Sequence, residues 1–93
     1  MKKGQLTNGF KYEVDEDVLK DMEVVDDLVA LESDDGKDET ARALVRVSTK
    51  ILGREQKKAL YDHIRNDKGR VDPKDFGATF RELLEAIGDE GKN

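Results

Sequence analysis

Two isolated glycines, Gly53 and Gly69, do more than any other residues to limit how this chain can fold. Gly53 stands where a helix ending at Leu52 should close on a left-handed residue, and Gly69 opens a turn just before Asp72-Pro73. That pair suits a helix start, with Asp72 as the cap and Pro73 in the first turn. Between the glycines lies a helix about three turns long. The centre of the chain therefore reads as helix, glycine stop, helix, short loop, helix.

The flanking segments complete a mainly α reading: a small bundle of about four helices with an N-terminal β-hairpin. Residues 1–14 hold the hairpin, because Leu6 to Val14 alternates apolar and polar residues around the Asn8-Gly9 pair. A lone hairpin is marginal in water, so Phe10, Tyr12 and Val14 should pack on helices, and its open edge is a candidate contact between copies. Residues 15–31 form an acidic helix with Val18, Leu19, Met22, Val25 and Val29 on one face and Leu28 alongside. Residues 32–38 contain no apolar side chain and read as a mobile acidic loop. Residues 39–88 carry three helices. The first, ending at Leu52, turns Ala41, Leu44, Val45, Ser48 and Ile51 inward, and the second turns Ala59, Leu60 and Ile64 inward with Tyr61 half-buried. The third carries Phe76, Phe80, Leu83, Leu84 and Ile87 as one apolar strip ending at Gly88. Residues 89–93 are a polar tail.

A chain of 93 residues makes one domain with a small core, burying roughly two thirds of its unfolded surface. With 35% hydrophobic and 42% charged residues, long charged side chains must cover part of that core. Having no cysteine, the chain has no disulfide frame and no thiolate metal site. No apolar run approaches the ~18 residues of a membrane span, and Met1-Lys2-Lys3 is not followed by a secretory h-region. These features predict an intracellular protein without membrane contact.

Net charge is −5, but its distribution is blocky. Residues 15–40 hold twelve acids against two lysines, a net of −10, while residues 41–70 hold nine bases against three acids, a net of +6. Two readings stand. The acidic helix can lie beside the basic ones and neutralise them, leaving a solvated surface, or the separated faces of one copy can dock head to tail on the next.

Candidate partner-binding residues fall in two sets. Arg42, Arg46 and Lys50 recur at i, i+4 and i+8 and form one basic stripe. Phe76, Phe80, Leu83, Leu84 and Ile87 offer more apolar surface than a small bundle needs, although core packing explains the same pattern. Little points to catalysis. His63 is the one histidine, the two serines lie on other elements, and no placed partner or phosphate-binding glycine loop is evident, so the chain reads as non-enzymatic with no cofactor. Ile64 to Asp75 can be laid over a calcium-binding EF-hand loop, with Gly69 at the sixth position. The first position is then Ile64, the fifth Lys68 and the twelfth an aspartate in place of the bidentate glutamate, which leaves too few oxygens for the cation. A small helix-turn-helix regulator of nucleic acid is the alternative reading, since Arg54, Gln56, Lys57 and Lys58 crowd the first turns of a would-be recognition helix. A one-residue turn, a pI near 4.9 and the neighbouring acidic block oppose it.

The order of features resembles small tail assembly chaperones of long-tailed bacteriophages and prophages. The likeness rests on the Leu52-Gly53-Arg54-Glu55-Gln56 run before a leucine-bearing helix, the Gly69-Arg70-Val71 break, the Asn8-Gly9-Phe10-Lys11-Tyr12-Glu13-Val14 opening, the acidic helix and the terminal amphipathic helix. It covers nearly the whole chain. The resemblance implies a protein that binds the long helical tape-measure protein, keeps it soluble, helps recruit tail-tube subunits in the bacterial cytoplasm, self-associates, and is absent from the finished virion. The family's motif marks no binding residue that can be carried over. It also implies a longer form made by a −1 ribosomal slip, because Gly91-Lys92-Asn93 can be encoded as GGA AAA AAC, which contains the slippery string A AAA AAC.

Overall fold

The computed structural model describes residues 1–33 and 37–88. An antiparallel hairpin of β1 (Lys2–Gln5) and β2 (Lys11–Val14) leads into a one-and-a-half-turn 3-10 helix at Glu16–Lys20. Four α-helices follow: α1 (Met22–Ser33), α2 (Lys37–Leu52), α3 (Arg54–Ile64) and α4 (Pro73–Gly88). The mainly α architecture with an N-terminal hairpin is the one the sequence predicts. The expected loop and tail differ in part: α1 continues through Glu32 to Ser33 and α2 already begins at Lys37, while residues 34–36 and 89–93 lie outside the described residues.

Local chemistry sets the helix ends. Gly53 has φ 79° and ψ 160°, a region closed to residues with a Cβ; its N–H donates to the Thr49 carbonyl at 2.8 Å while its carbonyl accepts from Lys57 N–H at 2.9 Å. One residue thus ends α2 and starts α3. Asp72 caps α4, its carboxylate accepting from Lys74 N–H at 2.8 Å. In the loop between α3 and α4, Gly69 has φ 76°, and the Asn66 side chain accepts from the N–H groups of Lys68 and Arg70.

The acidic helix is two helices. Asp15 caps the 3-10 segment through Asp17 N–H, and Asp21 then ends that segment and caps α1, its carboxylate accepting from Glu23 N–H at 2.9 Å. The change of period at Asp21 breaks the predicted Val18-to-Val29 stripe. In α1 it is Val24 that is buried, with Leu28 and Leu31 packed on the core, while Met22 and Val29 face outward at 65% and 59% exposure. The face of α2 also differs from the expectation. Ala43, Val47, Ser48, Ile51 and Leu52 are buried and Leu44 half-buried, whereas Ala41 is exposed and Val45 is 57% exposed. The rotation has a physical cause, since α2 must present Arg46 and Lys50 to α1 on one side and Val45's carbonyl to α3 on the other. In α3, Leu60 is buried, Tyr61 and Ile64 are half-buried, and Ala59 is exposed rather than inward.

The hairpin closes one side of the core. Its loop is longer than a two-residue turn: Leu6 N–H donates to Phe10 C=O, Gly9 N–H to Leu6 C=O, and Phe10 N–H to the Asn8 side chain. Leu6, Phe10, Tyr12 and Val14 join Val24, Val47, Ile51, Leu60, Phe76, Phe80, Leu83 and Ile87 in one cluster. The Tyr12 ring lies over Gly4, its cross-strand partner, so closely that a Cβ there would come within 2.6 Å of Tyr12 Cζ.

A candidate partner-binding groove

Helices pack in sequence, α1 on α2, α2 on α3 and α3 on α4, and this order leaves α4 facing the α1–α2 pair across an open trough of about 840 Å³. Leucines form its apolar floor: Leu19 from the 3-10 helix, Leu28 and Leu31 from α1, Leu44 from α2, and Leu84 from α4, beside the Phe80 ring. Its rim carries both signs, with Glu32 on one side and Lys74, Arg81 and Glu85 on α4. Gly77 and Gly88 leave the α4 wall low, and a Cβ at Gly77 would meet nothing within 4 Å.

Of the five apolar candidates on α4, Phe76, Phe80, Leu83 and Ile87 are buried at 5% exposure or less. They hold α4 to the hairpin and α3, with Phe76 edge-on to Tyr61 and stacked on Phe80. Leu84 differs from them. It is half-buried and lines the groove, next to the buried Phe80.

Two residues of the basic stripe, Arg46 and Lys50, reach across to α1 while remaining exposed. The Asp27 carboxylate on α1 is buried, and Oδ1 accepts from both Nε and Nη2 of Arg46, at 3.1 Å and 3.0 Å. Lys50 Nζ lies 3.9 Å from Oδ2, which accepts no hydrogen bond among the described residues. Arg46 also reaches Glu39 at 3.3 Å, and the hydrogen bond to Asp27 holds its guanidinium pKa above the ordinary value. Arg42, one turn earlier, is exposed. Arg46 and Lys50 therefore lock α1 to α2, which fixes one wall of the groove.

The first turns of α3 are engaged as well. The Gln56 amide pairs with the backbone of Glu13 in both directions, accepting from its N–H at 2.7 Å and donating to its C=O at 3.0 Å, so it occupies the outer edge of β2. Lys57 is buried, donating to the Val45 carbonyl at 3.1 Å and the Thr49 hydroxyl at 2.9 Å, and lies over the Tyr61 ring. Burial lowers its pKa. His63 Nε2 meets the Asn8 carbonyl at 2.8 Å and its ring packs on Phe10. Among the described residues no group of three acidic, histidine or cysteine side chains is placed to hold a metal ion, and no helix is long and apolar enough to cross a membrane.

No family model, curated protein or solved structure matches this chain. The groove must therefore be read from its own geometry. Phe80 and Leu84 were legible in the sequence, whereas Leu28 and Leu31 on α1 and Leu44 on α2 were missed as a site because they come from two other amphipathic helices. The available signal was an apolar arc on α2 and α4 wider than one packing partner covers.

Proposed function

We infer that this chain is a non-enzymatic tail assembly chaperone whose α1–α2–α4 groove holds an amphipathic helix of a long helical client, the tape-measure protein. The carrying observation is the open trough, which has an apolar floor and a rim of both signs. A helix about 10 Å across lays one apolar face into such a trough and sets its flanking charges against the rim. The resemblance described above supplies the identity of the client, the help given to tail-tube recruitment, action in the bacterial cytoplasm, and departure before the virion is finished. The nucleic-acid reading draws on the same α2–Gly53–α3 segment, but Gln56 and Lys57, two of the four side chains it needs, are engaged with β2 and α2.

The test is co-purification with fragments of a tape-measure protein, the very long coiled-coil chain that the resemblance expects to be encoded near this gene. A fragment should bind the native chain, and Leu84→Asp should abolish capture while leaving the thermal melt close to native, because Leu84 is only half-buried. Phe80→Asp should instead unfold the chain, its ring being 1% exposed. Failure of every fragment to bind the native protein, or unchanged binding by a folded Leu84→Asp variant, removes the reading. A shift of DNA at low salt would favour the regulator.

A further inference from the structure

The groove side of α4 is charged in the wrong sense for α4 itself. Lys74 lines the groove from the first helical turn and Glu85 from the last, whereas Asp75, the acid of the first turn, is not part of the lining. A helix carries partial positive charge at its N-terminus and partial negative charge at its C-terminus, so a base in the first turn and an acid in the last both oppose it. Local pairing does not offset this. Among the described residues the side chains of Lys74, Arg81 and Glu85 enter no ion pair, although Arg81 and Glu85 stand one turn apart.

These charges form an ordered series along the groove. Lys74 and Arg81 are seven residues apart, a rise of about 10 Å, and Glu85 follows about 6 Å further on. Between the two cations the wall consists of Gly77 and Ala78, and the open space at Gly77 lets a neighbouring helix backbone come close.

We propose that the helix taken up by this groove lies parallel to α4 and carries acids at positions i and i+7 of the flank beside it, with a base at i+11. The acids meet Lys74 and Arg81, and the base meets Glu85. From the N-terminus of α4 the series reads plus, plus, minus, so the complementary flank reads minus, minus, plus from the same end. In a parallel helix this puts the acids toward its own N-terminus and the base toward its C-terminus, where its macrodipole favours them. An antiparallel helix would need both reversed, against its macrodipole. Parallel dipoles repel side by side, but they amount to half charges at the helix ends, against full charges along the contact. Bases in place of the acids are repelled, so the same three residues exclude helices of the opposite pattern. The inference rests on the groove reading and adds the direction and charge pattern of the occupant.

The test uses the full chain and three synthetic peptides of about five turns, each with one leucine face and held helical by a staple on the outward side. One carries the acid, acid, base flank, one carries glutamine at all three positions, and one carries base, base, acid. At about 0.05 M salt the first should bind about tenfold more tightly than the glutamine peptide, three exposed pairs each contributing a factor of roughly two to three. The advantage should vanish by about 0.5 M. The base, base, acid peptide should bind more weakly than glutamine, and Lys74→Glu with Arg81→Glu, both at exposed positions, should invert the order of the two charged peptides. A nitroxide at the N-terminus of the first peptide should broaden the amide signals of residues 74–78 and spare 85–88. Equal binding of all three peptides, an order unchanged in the double variant, or broadening at 85–88 in place of 74–78 overturns the proposal and leaves the groove reading standing. Refusal of all three by the native chain, including refusal because a second copy already fills the groove, removes both.

Discussion

Thr7 and Glu82, 75 residues apart, are joined by two hydrogen bonds: the Thr7 N–H donates to Oε2 at 2.7 Å and its hydroxyl donates to Oε1 at 2.8 Å. A single carboxylate on α4 thereby satisfies the exposed loop of the hairpin and holds it over the core. His63 adds a second tether one residue later, at the Asn8 carbonyl. The short hairpin is stable because it is bonded to helices from two directions.

Removing the carboxylate should loosen the loop without unfolding the bundle. Glu82→Ala is expected to cost about 1 kcal/mol, since both bonds are charge-assisted yet solvent-exposed. Amide exchange should accelerate at residues 6–10 while α2 and α3 keep their protection. Uniform acceleration across the chain would show that Glu82 holds more than the hairpin.

Lys57 predicts an alkaline signature. Burial holds its pKa below the ordinary 10.5, so between the folded value and 10.5 the unfolded chain binds more protons. The penalty for burying the ammonium is fully present below the folded value and is relieved as pH rises through that window, so stability from this residue increases toward alkaline pH. Lys57→Met removes the slope and should raise stability at pH 7 by about 1 kcal/mol, because the Thr49 hydroxyl retains its bond to the Val45 carbonyl. Urea melts of the two proteins from pH 7 to 10.5 should converge as pH rises.

Gly77 separates folding from binding. It lies within α4 with ordinary backbone geometry and open space where a Cβ would stand, so Gly77→Ala should stabilise the chain by about 0.5–1 kcal/mol. The added methyl raises the low wall of the groove, and capture of a helical fragment should weaken in the same variant. A protein that is more stable yet binds the fragment equally well would place the contact away from α4.

What the sequence by itself determined is where α2 stops, where α3 and α4 start and where the hairpin turns, because these boundaries depend on chemistry within a few residues of the chain; the break at Asp21 was not among them. Gly53 ends one helix and begins the next, Asp72-Pro73 starts α4, and Asn8-Gly9 marks the hairpin loop; each is legible without its neighbours in space. The apolar positions of α4 follow the same logic, since one wide strip admits one way in. Tertiary structure alone decided which faces of α1 and α2 turn inward. Those helices carry apolar residues on more than one side, and the choice fell to distant partners: Arg46 and Lys50 had to reach Asp27, and Lys57 had to reach the Val45 carbonyl. The groove is likewise invisible in one dimension, because its leucines come from separate helices and its volume is the space left where α4 packs on α3 rather than along α1 and α2.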